Sequence, residues 1–228
     1  MNSSTRPVRG LATAAVALTS LFPLIVIVLN LIQRHDYSPT RQAISELALG
    51  TDGNAMIIAF CGLGVGIFLL AVCIYRTSRN ARVTPLLLAL ASVLAGPVSA
   101  AFHTDRTGAK TTVHGNIHNV AGLAAVLLIL VAMITAAYRF RREPAWRAHA
   151  TVTKAFAALG ITTFFLVPVL GNSQFGLAQR LFVGTFVVWL LSTAAHAARV
   201  TGTSNEAARR EETDRALAPN EAHMPARP

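Results

Sequence analysis

Three histidines and an aspartate lie within one short segment of an otherwise apolar chain. The segment is "HTDRTGAKTTVHGNIHN", residues 103–119, and it carries His103, Asp105, His114 and His118. His114 and His118 are four residues apart, so they would share one face of the first turn of a helix. Imidazole nitrogens and carboxylate oxygens are ligands that zinc accepts in tetrahedral array, with one position kept for water in a catalytic site. The four side chains therefore predict a metal site, and zinc is the metal that suits them.

The same four side chains have a second interpretation that needs no metal. Histidine and aspartate at a membrane boundary hydrogen-bond to the backbone of connectors, and Asp105 could accept from a histidine or from Arg106. Polar clusters beside membrane helices tend to be functional, but metal binding is only one of their uses. A polar network without a metal is favoured over a site for any single metal.

The first connector between apolar runs carries a second polar group. In its segment "SPTRQAISELALG", Ser38 suits a helix N-cap, Pro39 the first helical position and Gly50 the stop. The segment therefore predicts a helix of about three turns. Apolar residues such as Ile44 and Leu47 indicate that this helix lies along the membrane surface.

Arg41, Ser45 and Glu46 are the side chains of this connector that could do chemistry. Glu46 could be the general base for a metal-bound water, and Ser45 a nucleophile or a ligand. Arg41 lies one turn from Ser45 and is a candidate ligand-binding residue. The alternative, which is favoured, is that all three form the solvated side of an interfacial helix.

The fifth connector, "GNSQFGLAQR", adds Gln179 and Arg180 to the candidate ligand-binding residues. Arg180 precedes the last apolar run, where the positive end of a helix dipole favours anions. Its guanidinium could bind an anionic group such as a lipid phosphate. Equally, it could be an interfacial anchor whose charge reaches toward the headgroups.

The elements that must position these residues are membrane-spanning helices. Of 228 residues, 53% are hydrophobic and 13% are charged, and several runs of about twenty residues lack charge. Within lipid each run must satisfy its own backbone hydrogen bonds, which predicts helices and an all-α fold. Proline inside the first, third and fifth spans predicts kinks there. The six predicted spans are 11–33, 54–75, 84–102, 117–138, 151–171 and 181–199.

The basic residues predict the orientation of this six-helix bundle. The two termini and the second and fourth connectors hold most of the arginines, whereas the first, third and fifth connectors hold Arg34, Arg41, Arg106, Lys110 and Arg180. By the positive-inside rule both termini are cytoplasmic, and the histidine-bearing connector faces outward. The net charge of +10 therefore reflects membrane orientation and does not indicate a nucleic-acid partner.

The chain divides into a transmembrane domain and a tail. Residues 1–200 hold the six spans, and residues 201–228 have mixed charge and little apolar content. Such a composition predicts a disordered or weakly helical cytoplasmic tail.

Two segments resemble a known family of bacterial membrane proteins, domain of unknown function 998. "YSPTRQAISELALGTDGNAM", from Tyr37, is similar to its Ser-x-Leu-Gly segment before the second helix. "FHTDRTGAKTTVHGNIHNVAG", from Phe102, is similar to its Phe-Pro-x-Asp and His-Gly-x-x-His-Asn pattern, with His103 where proline is usual. The positions that carry the second pattern are Asp105, His114, His118 and Asn119.

The resemblance covers about residues 10 to 200 and implies a six-helix bundle in the bacterial inner membrane, without a settled activity. It also implies a distant similarity to the Frag/DRAM/Sfk group, and it adds Asn119 to the candidate ligand-binding residues. A looser similarity is to membrane hydrolases of the alkaline ceramidase and adiponectin receptor type. Those enzymes combine serine, aspartate and histidine around zinc, on different helices and at different spacings.

Three functions follow from these observations. The favoured one is a membrane protein of unassigned activity that binds a lipid or another amphiphile at its outward-facing His/Asp cluster. The alternative is a metal-dependent membrane enzyme, either a hydrolase or one that modifies a lipid or isoprenoid. The third is a small-molecule transporter, which the prolines in three spans suggest. Membrane lipids are the expected partners in the first two, and no protein partner is indicated.

Overall fold

Six long helices form the structure, which is a computed structural model. It describes the backbone of residues 6–217 and the side chains of residues 8–171 and 173–201. No strand occurs within that part of the chain. The helices are α1 (Arg6–Ile32), α2 (Asn54–Thr77), α3 (Val83–Ala101), α4 (Val113–Phe140), α5 (Arg147–Leu170) and α6 (Phe175–Leu217).

All six predicted spans are confirmed as helices long and apolar enough to cross a membrane. The last three begin up to two turns earlier than the hydropathy of the sequence predicted. The reason is that polar residues continue these helices beyond their apolar runs. The first turn of α4, for example, is "VHGN", and Thr112 caps it by accepting from the Gly115 N–H.

The helices form a ring in chain order. Each helix packs against the next, and α6 returns to α1. Helix α2 also contacts α6 behind α1, so it is the most enclosed of the six. The first, third and fifth connectors (residues 33–53, 102–112 and 171–174) lie together at what we call the polar end. The start of α1 and the second and fourth connectors lie at the opposite end of the bundle, which we call the terminal end.

Glycines on α2 allow the close contacts of that helix. A Cβ atom at Gly66 would lie 2.9 Å from the backbone nitrogen of Thr19 in α1. On the other side, a Cβ atom at Gly64 would lie 2.7 Å from Cα of Gly96 in α3. Small residues at such positions let helix backbones approach directly in a membrane.

Proline interrupts α3 as the sequence predicted. Pro97 lies in a π-helical turn, Leu94–Val98, within this helix. The carbonyl of Leu94 accepts from both the backbone N–H and the hydroxyl of Ser99, the latter at 2.8 Å. Pro23 and Pro168 also lie inside helices, in α1 and α5.

A short helix is present in the first connector as predicted, but it is shorter and more buried than the sequence indicated. The connector instead turns at residues 39–42 and forms a 3-10 helix only at Ile44–Leu49. Ser38 is not its N-cap, and its first four residues are buried. The sequence signals for a helix start were overridden because Pro39 and Gln42 carbonyls are held by another helix.

The last helix continues beyond the predicted end of its span, to Leu217. The start of the predicted tail is therefore helical, and residues 218–228 lie outside the described part of the chain. The disordered state predicted for the tail stays a prediction.

Substitution at Gly64 tests the α2–α3 contact. We expect Gly64→Val to lower the stability of the purified protein by about 1–3 kcal/mol, because the added carbons meet backbone that cannot move aside. Gly184→Val is the matched control, since nothing lies within 4 Å of a Cβ atom at Gly184. Thermal unfolding in detergent measures both, and equal midpoints would contradict the contact.

Candidate functional site

A cavity of about 710 Å³ lies inside the bundle beneath the polar end. All six helices contribute to its walls, and its volume is within the range of small-molecule sites. Along α6 its lining extends from Phe175 to Leu190, a length of about 22 Å at 1.5 Å per residue. The cavity is therefore long as well as wide.

The deep walls of the cavity are apolar and largely aromatic. Phe182 and Phe186 of α6 have ring centroids 4.7 Å apart, and Phe22 of α1 lies 5.9 Å from Phe60 of α2. All four rings line the cavity and are buried. Such walls suit a hydrocarbon and offer no group that would solvate a free ion.

Glu46 closes the top of the cavity by joining two connectors. Its carboxylate accepts from the Ala43 N–H at 3.0 Å and the Gln42 side chain at 3.1 Å within the first connector. From the third connector it accepts the Thr107 N–H at 3.0 Å and the Thr107 hydroxyl. Burial alone would raise the pKa of the Glu46 carboxyl, but these four hydrogen bonds outweigh it and hold that pKa below its usual value. Ionised Glu46 thus joins the first and third connectors by hydrogen bonds, an arrangement that we call the Glu46 tie.

Asp105 is held at the start of α4. Its carboxylate accepts from the Thr112 N–H at 2.8 Å and from the Thr112 hydroxyl at 2.9 Å. The carboxylate lies so close to Gly115 that a Cβ atom there would overlap it. A negative charge in this place is stabilised by the positive end of the α4 dipole.

The three histidines point to different surroundings. His118 is buried in the cavity wall, and its Nδ1 lies 2.8 Å from the Phe102 carbonyl oxygen. Since a carbonyl only accepts, Nδ1 carries the hydrogen and donates it to this oxygen. His114 is exposed with its ring 5.4 Å from that of Phe102, and His103 is exposed as well.

The predicted metal site is not found in this geometry. Among the residues with described side chains, no group of three or more His, Cys, Asp or Glu could hold a metal ion. The physical reason is that the side chains do not converge: the Asp105 carboxylate is turned to Thr112, His118 is buried in the cavity wall, and His103 and His114 are exposed. These residues do not fit zinc, and the four predicted ligands, His103, Asp105, His114 and His118, do not form one ligand set.

Arg180 makes hydrogen bonds to several groups of the protein. One of its terminal nitrogens donates to the carbonyls of Pro39 at 2.6 Å and Gln42 at 3.1 Å, and to that of Gly176 in its own helix. The other donates to the hydroxyl of Tyr37 and lies 3.5 Å from Oδ1 of Asn30. The guanidinium of Arg180 thus joins the first connector to α6, and the anion site predicted at this residue stays a prediction.

Tyr37 and Gly176 complete this attachment of the first connector. Burial raises the pKa of the Tyr37 hydroxyl, which therefore stays protonated and donates to the Ala43 carbonyl at 2.8 Å. A Cβ atom at Gly176 would lie 2.4 Å from the Gln42 carbonyl oxygen, so only glycine lets the connector lie this close to α6. Sequence analysis missed both residues, because neither a tyrosine nor a glycine by itself indicates a contact between a connector and a helix.

The remaining predicted site residues differ in whether they line the cavity. Gln179 accepts the Ile44 N–H at 2.8 Å, which caps the 3-10 helix, and it also lines the cavity. Ser45 and Asn119 line the cavity too. Arg41 is exposed at the preceding turn and is not part of the lining.

Arg106 lines the cavity mouth and was missed as a ligand-binding candidate. Sequence analysis treated it only as a neighbour of Asp105, although an arginine in the same connector was a signal. The first and third connectors, α4 and α6 thus bring together at the mouth Ser45, Glu46, Arg106, Thr107, His118 and Gln179.

The Glu46 tie predicts a pH-dependent stability. Because the folded-state pKa lies below the usual value of 4.5, ionised Glu46 stabilises the fold at neutral pH, and this stabilisation is lost as the pH falls through the lowered pKa. We expect Glu46→Gln to cost about 1–3 kcal/mol at pH near 7. The difference should shrink on acidification. Thermal unfolding in detergent across this pH range measures it, with Asp52→Asn, an exposed acid of the same connector, as control. A constant difference at all pH values would contradict the ionised tie.

Comparison with known proteins places this chain in a family. Neither curated proteins nor solved structures gave a match to it. A family described as "Protein of unknown function (DUF998)" matches residues 11–196, which covers all but the ends of the six-helix bundle and confirms the resemblance found in the sequence. The protein is therefore a multi-pass membrane protein that belongs to the DUF998 family.

Proposed function

We propose that the protein binds a lipid or another long amphiphile in the cavity beneath its polar end. The observation that carries the proposal is the division of the cavity into apolar walls and a polar mouth. The walls are formed by phenylalanine and aliphatic side chains of the helices, and the mouth by Ser45, Arg106, His118 and Gln179. An apolar site with a few polar groups at one end is the arrangement that orients an amphiphile.

The mouth has spare hydrogen-bonding groups for a headgroup. The hydroxyl of Ser45 and the side-chain nitrogen of Gln179 make no hydrogen bond to any residue whose side chain is described. Both residues line the cavity. A headgroup bound at the mouth would supply partners for both groups.

The two other functions considered from the sequence have less support. A metal-dependent enzyme lacks a ligand set within the described residues. A transporter would often use an acidic group inside a span, and both acids at this site are tied to connector or cap groups. Of the three functions, amphiphile binding is the one that the geometry of the cavity supports best.

Filling the cavity tests the proposal. Gly122 of α4 lines the cavity with nothing within 4 Å of a Cβ atom, so Gly122→Trp should fold and occupy the space. We expect wild-type protein purified in mild detergent to carry lipid in native mass spectra, and Gly122→Trp to have lost it. Gly184→Trp is the matched control, because Gly184 is equally unobstructed and does not line the cavity. Equal lipid retention by both variants, or none in wild type, would contradict the proposal.

We propose further that the polar end faces away from the cytoplasm, in a bacterial inner membrane with both termini cytoplasmic. In support, the arginines of the second and fourth connectors lie at the terminal end, and cytoplasmic loops are the ones that collect such residues. A single cysteine in place of Asp52 should react with a membrane-impermeant maleimide in intact cells, and one in place of Arg79 should not. The Cys61→Ala background removes the exposed native thiol. The reverse labelling pattern would overturn this orientation.

A further inference from the structure

Helices α4 and α5 separate as they approach the polar end. Toward the terminal end they are in close contact, since a Cβ atom at Gly160 of α5 would lie 3.3 Å from the Leu130 side chain of α4. Nearer the polar end, at Gly122 of α4, such an atom would have nothing within 4 Å. Every buried residue of α5 lies at or before Thr163, and the last two turns are at most partly buried.

The edges of this gap line the cavity and are also exposed on the outside. Leu123 of α4 is 52% exposed and Phe165 of α5 is 63% exposed, and both contribute to the lining. Deeper lining residues such as Ile129 and Phe186 are 5% and 3% exposed, so the cavity interior itself adds little exposed surface. The exposed area of Leu123 and Phe165 is therefore on the lipid-facing side, and the cavity opens there.

The opening is confined to one side of α5. On its other side Phe164 keeps contact with α6, where its ring centroid lies 5.9 Å from that of Phe182 in an edge-on arrangement. Pro168, which lines the cavity and is exposed, removes one backbone hydrogen bond from this end of α5. The gap between α4 and α5 is thus a lateral portal, bordered by Gly122, Leu123, Phe165 and Pro168.

The cavity mouth favours a headgroup that accepts hydrogen bonds. Both carboxylates in the lining, Glu46 and Asp105, already accept from the protein. The guanidinium of Arg106 makes no hydrogen bond or ion pair within the part of the chain that is described, and Ser45 and Gln179 add neutral donors. Guanidinium pairs well with phosphate or carboxylate oxygens.

The length of the cavity suits a chain from one leaflet of the bilayer. The hydrocarbon core of a membrane is about 30 Å thick, so one leaflet contributes about half of that. The lining along α6, about 22 Å, exceeds this half-thickness. An extended acyl chain therefore fits along the cavity, from the polar mouth to the deep aromatic walls.

We propose that a bilayer lipid with an anionic oxygen headgroup enters the cavity sideways between α4 and α5, with its acyl chain along α6 and its headgroup beside Arg106. This inference rests on the proposed function and names its ligand class and route. The occupant reaches the site from the membrane and does not cross the polar roof formed by the 3-10 helix and the third connector.

The route is tested with a photoreactive lipid. Full-length protein is reconstituted into phosphatidylcholine vesicles containing phosphatidylglycerol with a diazirine near the end of one acyl chain. After irradiation, peptide mass spectrometry should find adducts on the buried walls, at Ile129 or Phe186, as well as on outward-facing residues. Leu123→Cys in the Cys61→Ala background is first labelled with a bulky maleimide, which should abolish the wall adducts. Leu127→Cys, labelled identically, is the control, because Leu127 is exposed one turn away and does not line the cavity.

The headgroup is tested with the same readout. Arg106→Gln should lower the wall adducts from the phosphatidylglycerol probe about tenfold, the effect of losing one charge-assisted hydrogen bond. Lys110→Gln, an exposed cation of the same connector outside the lining, should leave them unchanged. A diazirine fatty acid and a diazirine diacylglycerol distinguish a carboxylate from a phosphate headgroup and both from an uncharged one.

The outcomes separate this inference from the proposed function. Wall adducts that persist in labelled Leu123→Cys would overturn the lateral route, and diacylglycerol adducts equal to the others would overturn the anionic headgroup. In both cases amphiphile binding would still stand. If wild-type protein forms no wall adducts with any of the three probes, the proposed function itself fails.

Discussion

The attachment of the first connector through Arg180 is the interaction on which the rest of the site depends. A guanidinium at the start of α6 donates to backbone carbonyls of Pro39 and Gln42 and to Tyr37. These bonds hold the connector against the helix, where only a glycine at position 176 leaves room. The 3-10 helix that follows is thereby placed over the bundle, and it brings Glu46 to Thr107. Together with the Gln179 side chain, which accepts the Ile44 N–H, the Arg180 bonds fix the first connector above the cavity.

The polar roof over the cavity uses most of its hydrogen-bonding groups within the protein. The carboxylates of Glu46 and Asp105 accept hydrogen bonds from backbone N–H groups and threonine hydroxyls. The Nδ1–H of His118 donates to a backbone carbonyl. A carboxylate that accepts several hydrogen bonds in this way stabilises a loop but is a poor base. The groups that stay available are neutral donors and one arginine, and they suit recognition of a headgroup better than hydrolysis.

Separation of α4 and α5 gives the bundle its asymmetry. A closed ring of six helices would bury its interior, but α5 contributes no buried residue after Thr163. The aromatic rings of α6 therefore face a space that no neighbouring side chain fills. Such a space beside lipid is where an acyl chain gains contacts that the helices leave unmade. For a DUF998 protein, whose family description states no function, this makes lipid chemistry the first direction to explore.

The sequence by itself determined the six helices, their order, the polar character of one end and the family, because hydropathy and motifs are properties of contiguous residues. It did not determine the role of any site residue. Asn30 and Tyr37 lie 150 and 143 residues from Arg180 in the chain, so no local pattern could predict that they meet. The same holds for Glu46 and Thr107, and for the gap beside Gly122. Only the tertiary structure decided which polar groups satisfy one another and which stay free, since hydrogen bonding depends on distance in space and not along the chain.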